Sequence, residues 1–332
     1  MKALCGALLL LTSLVGSDAF GQAANLERPL EKVSFRLDWS LSGFHLPFYW
    51  AARKGYFKEA GLDVEIKPGA GSQQAINLVA GGHDDLGFAD LSLVASSIAK
   101  GMKIKAVFAV VQRDAWSIYS HNDRPILRPE DLVGKSVVLA VDHKPMMDLL
   151  LRLNRIDPAT VTIRLANPQT RQTVFAQHSA DGVLGVTMSA NVTLGGGQVS
   201  SMMLADYGVL MLGQGVVASN EFLSRRGDVA RRFLKVLNRA IHECMIDRNI
   251  PEAISIAMQM TDSSREATIE VVNEQWKKTI PLLVSKIEPN RPTGWMSEAD
   301  WQATISTLQQ IGRVPQAVDL KTIYTNEFVP AD

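Results

Sequence analysis

Apolar and polar residues alternate through Ser34-Phe35-Arg36-Leu37, the period of a strand with one face buried. Asp38-Trp39-Ser40 breaks the alternation, and Ser42-Gly43 keeps the chain irregular. Pro47 suits a first helical turn, where its missing N–H costs nothing. Tyr49, Trp50, Ala51 and Ala52 carry the helix to Lys54-Gly55, and Tyr56-Phe57 starts a last turn that Gly61 stops as a left-handed cap. Leu62-Asp63-Val64-Glu65-Ile66 alternates again, apolar with acidic. A strand, a helix and a strand joined by short connections predict a parallel pair.

The pattern continues down the chain. Ser72 stands where it can cap a helix over 73–80, ended by Gly81-Gly82. Residues 86–89 form a short apolar strand, and Asp90 occupies the N-cap position ahead of a helix over 91–100. Residues 104–111 are nearly all apolar, as in a strand covered on both faces. Residues 116–119 read as another strand. His121-Asn122-Asp123-Arg124-Pro125 then makes a turn-forming, charged crossing. Strands follow at 137–141, 160–165 and 181–186, with helices over 146–153 and 169–177 between them. Two short strands, 201–204 and 209–212, lead to Gly213-Gln214-Gly215, read as the return crossing. From Asn220 the chain becomes long amphipathic helices, including 250–259, 265–283 and 298–311, the last capped by Ser297. Two α/β lobes result: a discontinuous one, 30–121 with 216–332, and a continuous one, 122–215.

Three segments carry a resemblance: Leu37-Asp38-Trp39, Lys54-Gly55-Tyr56-Phe57 and Gly61-Leu62-Asp63-Val64. They resemble the solute-binding proteins of ABC importers, in the branch that binds thiamine-precursor pyrimidines, riboflavin, nitrate, sulfonates and taurine. Arg128-Pro129-Glu130-Asp131-Leu132-Val133-Gly134-Lys135 is similar to the element that opens the family's second domain. Glu221-Phe222-Leu223-Ser224 and Arg231-Arg232-Phe233-Leu234 resemble the helices that follow it. The resemblance implies a type II-like periplasmic-binding-protein fold, two lobes of mixed, mostly parallel sheet with a ligand cleft between them. It also implies a monomer that hands its small-molecule ligand to an ABC permease in the inner membrane. The Leu37-Asp38-Trp39 opening is more like the pyrimidine and riboflavin branch. The loop Asp142-His143-Lys144-Pro145 departs from the glycine-containing loop of pyrimidine binders.

Composition adds bounds. At 332 residues and 46% hydrophobic, the chain can bury one or two cores of ordinary domain size. Thirty-four Lys and Arg balance 34 Asp and Glu, which argues against nucleic acid or anionic membrane as partner. Lys2, an apolar run over 3–15 and the small residues Ser17-Asp18-Ala19 and Gly21-Gln22-Ala23 predict a cleaved export signal over 1–23 and a periplasmic protein. Cys5 would leave with that signal, so Cys244 would stand alone as a small core hydrophobe.

In open parallel sheets, ligands sit beyond the carboxyl ends of the strands. That rule selects Asp38, Trp39, Phe44 and His45 after the first strand, then Ser72 and Gln73, Asp90 and Ser92, and Gln112, Arg113 and Trp116. The second lobe adds Asp142, His143, Thr187 and Gln214. Trp39 and Phe44 can equally pack the lobe, and Asp90 and Ser72 can equally be helix caps. The histidines show no metal-ligand spacing, so neither metal nor cofactor is expected.

No phosphate loop, nucleophile elbow or Cys–His pair is present in the sequence, so binding without catalysis is expected. The solute expected is a planar heteroaromatic such as a pyrimidine thiamine precursor or flavin. The alternatives are an anion of the nitrate, sulfonate or taurine type, or an enzyme like the eukaryotic pyrimidine synthase of thiamine formation. That synthase has a cysteine-rich motif in its second lobe, and this chain has no cysteine there.

Overall fold

A computed structural model describes residues 29–186, 199–261 and 267–331. Two five-stranded mixed sheets organise it. The first runs β2 (Leu62–Lys67), β1 (Glu31–Arg36), β3 (Leu86–Asp90), β10 (Gln214–Ser219), β4 (Ile104–Ala109). The second runs β7 (Thr162–Leu165), β6 (Ser136–Leu139), β8 (Gly182–Val186), β5 (Trp116–His121), β9 (Val199–Met203).

The opening unit folds as its pattern predicts. β1 and β2 pair in parallel, with Val33 opposite Val64 and Phe35 opposite Ile66. Pro47 lies in the first turn of the helix Leu46–Arg53. That helix does not continue through Tyr56-Phe57: Gly55, at φ 78°, breaks it, and Tyr56–Glu59 forms a separate turn. The buried face carries the core. Phe35 packs on Phe48 at 4.7 Å and on Phe233 at 5.0 Å between ring centroids, and Phe48 meets Phe88 at 5.1 Å. Phe233 belongs to the helix Asn220–Cys244, which thereby ties the C-terminal half to the first sheet. Trp276 is fully buried, its indole N–H donating to the Cys244 carbonyl at 2.8 Å, and Cys244 is buried and free.

One strand goes elsewhere than expected, and another expected strand does not form. Residues 116–121 do not close the first unit. They form β5, antiparallel to β8 and β9 inside the second sheet. Residues 209–212 are not a strand, and the return segment instead enters the first sheet as β10, antiparallel between β3 and β4. An extended apolar run states that it will pair, not with whom; the partner follows from which sheet edge the chain can reach. The crossings therefore lie near 110–115 and 210–214. They are hydrogen-bonded to one another: Gly213 N–H to Val111 O at 2.9 Å, Val111 N–H to Gln214 O at 2.8 Å, and Asp114 N–H to Met211 O at 2.8 Å. Side chains reinforce the junction, since Leu212 N–H donates to Thr304 Oγ1 at 2.9 Å and Thr307 Oγ1 donates to Leu210 O at 2.7 Å.

Candidate functional site

The loop after β1 is held by its backbone. Gly69 N–H donates to Trp39 O at 3.1 Å and Gly71 N–H to Asp38 O at 2.6 Å, so the loops after β1 and β2 lie together. A Cβ on Gly69 would stand 1.9 Å from Leu37 O, so this approach needs glycine. In that loop His45 Nδ1 accepts from Ser42 N–H at 3.1 Å, which leaves Nε2–H to donate to Asp38 Oδ1 at 2.7 Å. Asp38 and His45 are both buried, and Phe44 packs edge-on against His45 at 4.6 Å and beside Phe88 at 5.6 Å. Trp39 is 50% exposed, an uncovered aromatic face beside a buried acid.

At the end of β3, Asp90 is the N-cap of the helix Leu91–Ala99 and accepts from Ser92 N–H at 2.7 Å and Leu93 N–H at 3.2 Å. Ser92 is buried beneath it. Ser72 is the first residue of its helix, not its cap, and its hydroxyl accepts from Asp90 N–H at 3.1 Å. Gln214, the first residue of β10, lies directly across from Asp90 in the register. Its side chain is buried and Oε1 has no hydrogen-bond partner.

Second-sheet elements add to this cluster. Trp116 opens β5, and its ring lies 4.2 Å from that of His143. His143 sits in the short turn Val141–His143, half-buried, with Nδ1 unpartnered. Asp142 supplies its carbonyl to Arg313 Nη2 at 2.9 Å.

Three residues that the sequence reading omitted belong here. Asp114 is buried, its carboxyl accepting from the N–H groups of Ala115 and Trp116, while Oδ2 has no partner. Arg313 follows the helix Glu298–Gln310 and reaches Asp142 from 171 residues away in sequence. Arg171 has an unpartnered Nη1. Asp114 stood in plain view beside Trp116 at a crossing; Arg313 and Arg171 had no local signal.

Burial governs the electrostatics. It raises the Asp90 carboxyl, against the pull of the Ser92 and Leu93 N–H groups and Arg313. It raises Asp114 well above the usual carboxylate range, helped by the neighbouring Asp90 and opposed by its backbone donors and Arg313. It also drives the His143 imidazole down to about 4, with Arg171 and Arg313 adding to the fall and Asp142 opposing it. The result is two reluctant acids on the first-sheet side and an uncharged ring on the second.

Other selected residues point away. Gln73 is exposed and donates to Asn77 Oδ1 at 3.0 Å along its own helix. Gln112 donates to Trp295 O at 2.9 Å and lines a small cavity of about 30 Å³ with Ser285 and Asp300. Arg113 is paired with Asp206 at 3.0 Å, a carboxylate it shares with Lys286. Thr187 lies outside the described residues. A recess of about 520 Å³ lies apart from the cluster, between Tyr56, Arg232 and Arg239. Those arginines are already paired with Glu31, Asp228, Glu59 and Glu243, and Asn238, whose Oδ1 has no partner, also lines the recess.

The NMT1/THI5-like family model matches residues 43–249. A formylaminopyrimidine-binding protein of Halalkalibacterium halodurans is 26% identical over 307 residues, covering 90% of this chain and 91% of that protein. The riboflavin-binding protein RibY of Chloroflexus aurantiacus is 20% identical, covering 93% and 89%. A 4-amino-5-hydroxymethyl-2-methylpyrimidine phosphate synthase of Saccharomyces cerevisiae is also 20% identical, covering 90% and 88%. Among solved structures, the periplasmic aliphatic sulphonate-binding protein SsuA of Escherichia coli matches with TM-score 0.68 and 14% identity, covering 91% of this chain and 94% of that one. The periplasmic nitrate-binding protein NrtA of Synechocystis matches with TM-score 0.64 and 12% identity, covering 90% and 87%. The fold is that of a two-domain α/β periplasmic binding protein.

Proposed function

Because this chain belongs to the NMT1/THI5-like family, we propose that it is the extracytoplasmic solute-binding component of an ABC importer, taking a planar heteroaromatic solute of the aminopyrimidine or flavin type. The observation that carries this reading is the junction cluster. Trp116 and His143 supply aromatic surface beside half-buried Asp90 and the buried Asp114 and Gln214, the last two each with an atom without a partner. Such a set suits a ring with polar edges, since a site built to hydrogen-bond a ligand discriminates through the groups left unpaired without it.

A bare oxyanion suits it less well. An anion site wants uncompensated positive charge or helix N-terminal donors. Asp90 takes the donors of its helix, and although Arg313 and Arg171 face the cluster, the neighbouring carboxyls of Asp90 and Asp114 stand against a bound anion. Binding without turnover is supported by the relatives named as binding proteins and by the burial in the first-sheet core of Cys244, the free thiol among the described residues. Closure of the two lobes about 110–115 and 210–214 would bury the solute and shift the open-to-closed population by its differential affinity. The permease would then recognise the closed form.

Calorimetry with an aminopyrimidine, riboflavin, taurine and nitrate tests the reading. A ring compound should bind, be recovered chemically unchanged, and outcompete both anions. Tight nitrate or taurine binding would replace the heteroaromatic assignment, and a converted ring compound would replace binding with catalysis.

A further inference from the structure

Among the oxygens buried without a hydrogen-bond partner at the junction of the two lobes, one belongs to a carboxyl: Oδ2 of Asp114. The rest of that residue is fully engaged. Its N–H donates to Met211 O at 2.8 Å, and its carboxyl accepts from the N–H groups of Ala115 and Trp116. A serine or asparagine could satisfy those backbone donors, so capping alone does not require a second buried carboxyl oxygen. Retaining an unsatisfied buried oxygen carries a penalty that a bound partner would remove.

The neighbours define what that partner is. The charged side chains facing Asp114 are Asp90, from β3, and Arg313, from beyond the helix Glu298–Gln310. Arg313 is shared, since it also donates across to Asp142 O and faces His143. Arg113, adjacent in sequence, is turned away to Asp206. A second carboxyl beside a buried one leaves two negative charges with one cation divided between them, so one acid keeps its proton. Burial pushes Asp114 well above the usual carboxylate range, and Asp90, which also holds the Ser92 hydroxyl, is raised as well.

We propose that Asp114 determines ligand choice by meeting the solute as a neutral carboxyl, its Oδ2 hydroxyl donating to a ring nitrogen. This rests on the solute-binding reading above and deepens it. Gln214 Oε1, another buried atom without a partner, across from Asp90 in the register, would accept from an amino group on the same ring. Trp116, two residues beyond Asp114, supplies the ring's flat neighbour. A heteroaromatic with adjacent acceptor and donor would thus be preferred over a carbocycle of the same shape.

Two substitutions separate this role from a structural one. In Asp114→Asn the amide oxygen can keep the backbone bonds while the NH₂ imitates the carboxyl O–H. Asp114→Leu removes the donor. With 4-amino-5-hydroxymethyl-2-methylpyrimidine as probe, calorimetry should find Asp114→Asn within about threefold of wild type and Asp114→Leu weaker by about ten- to a hundredfold. Aminobenzyl alcohol, which lacks ring nitrogens, should bind the wild type weakly and be indifferent to Asp114→Leu. Infrared difference spectra, wild type minus Asp114→Asn without ligand, should show the carbonyl stretch of a protonated carboxyl at neutral pH. Loss of binding in Asp114→Asn equal to that in Asp114→Leu, or no protonated-carboxyl band, overturns the proposal. So does unchanged pyrimidine binding in Asp114→Leu with a native melting curve. Should the wild type bind no pyrimidine or flavin, the solute reading fails separately, while the infrared measurement still decides the state of Asp114.

Discussion

At the scale of single residues, cost and exposure show where a side chain is kept for a ligand. Trp39 is half exposed and contributes little to the core, so Trp39→Ala should leave folding stability nearly unchanged while weakening the heteroaromatic ligand by roughly 1–3 kcal/mol. Melting curves and calorimetry on one preparation check both halves. His143 has an opposite signature. Its imidazole falls to about 4 when buried, against 6.5 ordinarily, so between those values the unfolded chain takes up a proton that the folded one refuses. Stability should therefore drop as pH falls from about 6.5 to about 4, by on the order of 3 kcal/mol. Asp90 and Asp114, raised in the fold, work the other way, since their penalty lessens as pH falls through their folded values. Urea midpoints against pH, for wild type and His143→Gln, isolate the histidine: the variant should show a shallower acid loss over that window.

At the scale of elements, tight backbone approaches set the loops that carry the site. Gly69 lies against the end of β1, where a methyl would press on Leu37 O at 1.9 Å, so the loops after β1 and β2 cannot both hold their places around an alanine. Gly69→Ala should destabilise by about 1–3 kcal/mol, the range of an overpacked site. It should also weaken ligand binding, because Trp39 O and Asp38 O lose their Gly69 and Gly71 donors. Denaturant titration beside ligand titration checks this, and a binding loss without destabilisation would point to a purely local shift. The helix Glu298–Gln310 offers a simpler case. Ser297 Oγ accepts from Asp300 N–H at 3.0 Å, as its sequence position predicts, and donates to Asp300 Oδ2 at 2.7 Å. Ser297→Ala should cost about 1–2 kcal/mol by thermal melting.

At the scale of the whole molecule, two sheets are joined by two crossings that bond to each other, and several side chains bridge them. Asp206 binds both Arg113 and Lys286, and Arg313 reaches Asp142. A ligand held between the lobes binds the folded state alone, so saturating ligand at a hundred times its dissociation constant should add about 2.7 kcal/mol of apparent stability. A thermal-shift series over ligand concentration measures that increment. Export belongs to this scale too. Residues 1–28 lie outside the described structure, and the proposed cleavage near 20–25 predicts a mature N-terminus that mass spectrometry of exported protein would find. Retention of Lys2 would defeat it.

Local pattern by itself determined the opening unit of the fold. The alternation in 34–37 and 62–66 produced the parallel pair β1–β2, and Pro47 and Ser297 marked helix starts, because strand period and capping depend on neighbours a few residues away. It also placed Asp90 at a helix N-terminus and Trp116 at a strand mouth. Pairing was decided only in the tertiary structure. Residues 116–121 joined the second sheet, and 214–219 became a strand between β3 and β4, because extended segments carry no label for a partner far along the chain. The same holds for the site. Arg313, and the unpartnered state of Asp114 and Gln214, follow from burial and from charges brought together across the fold, and neither is a property of any stretch of sequence.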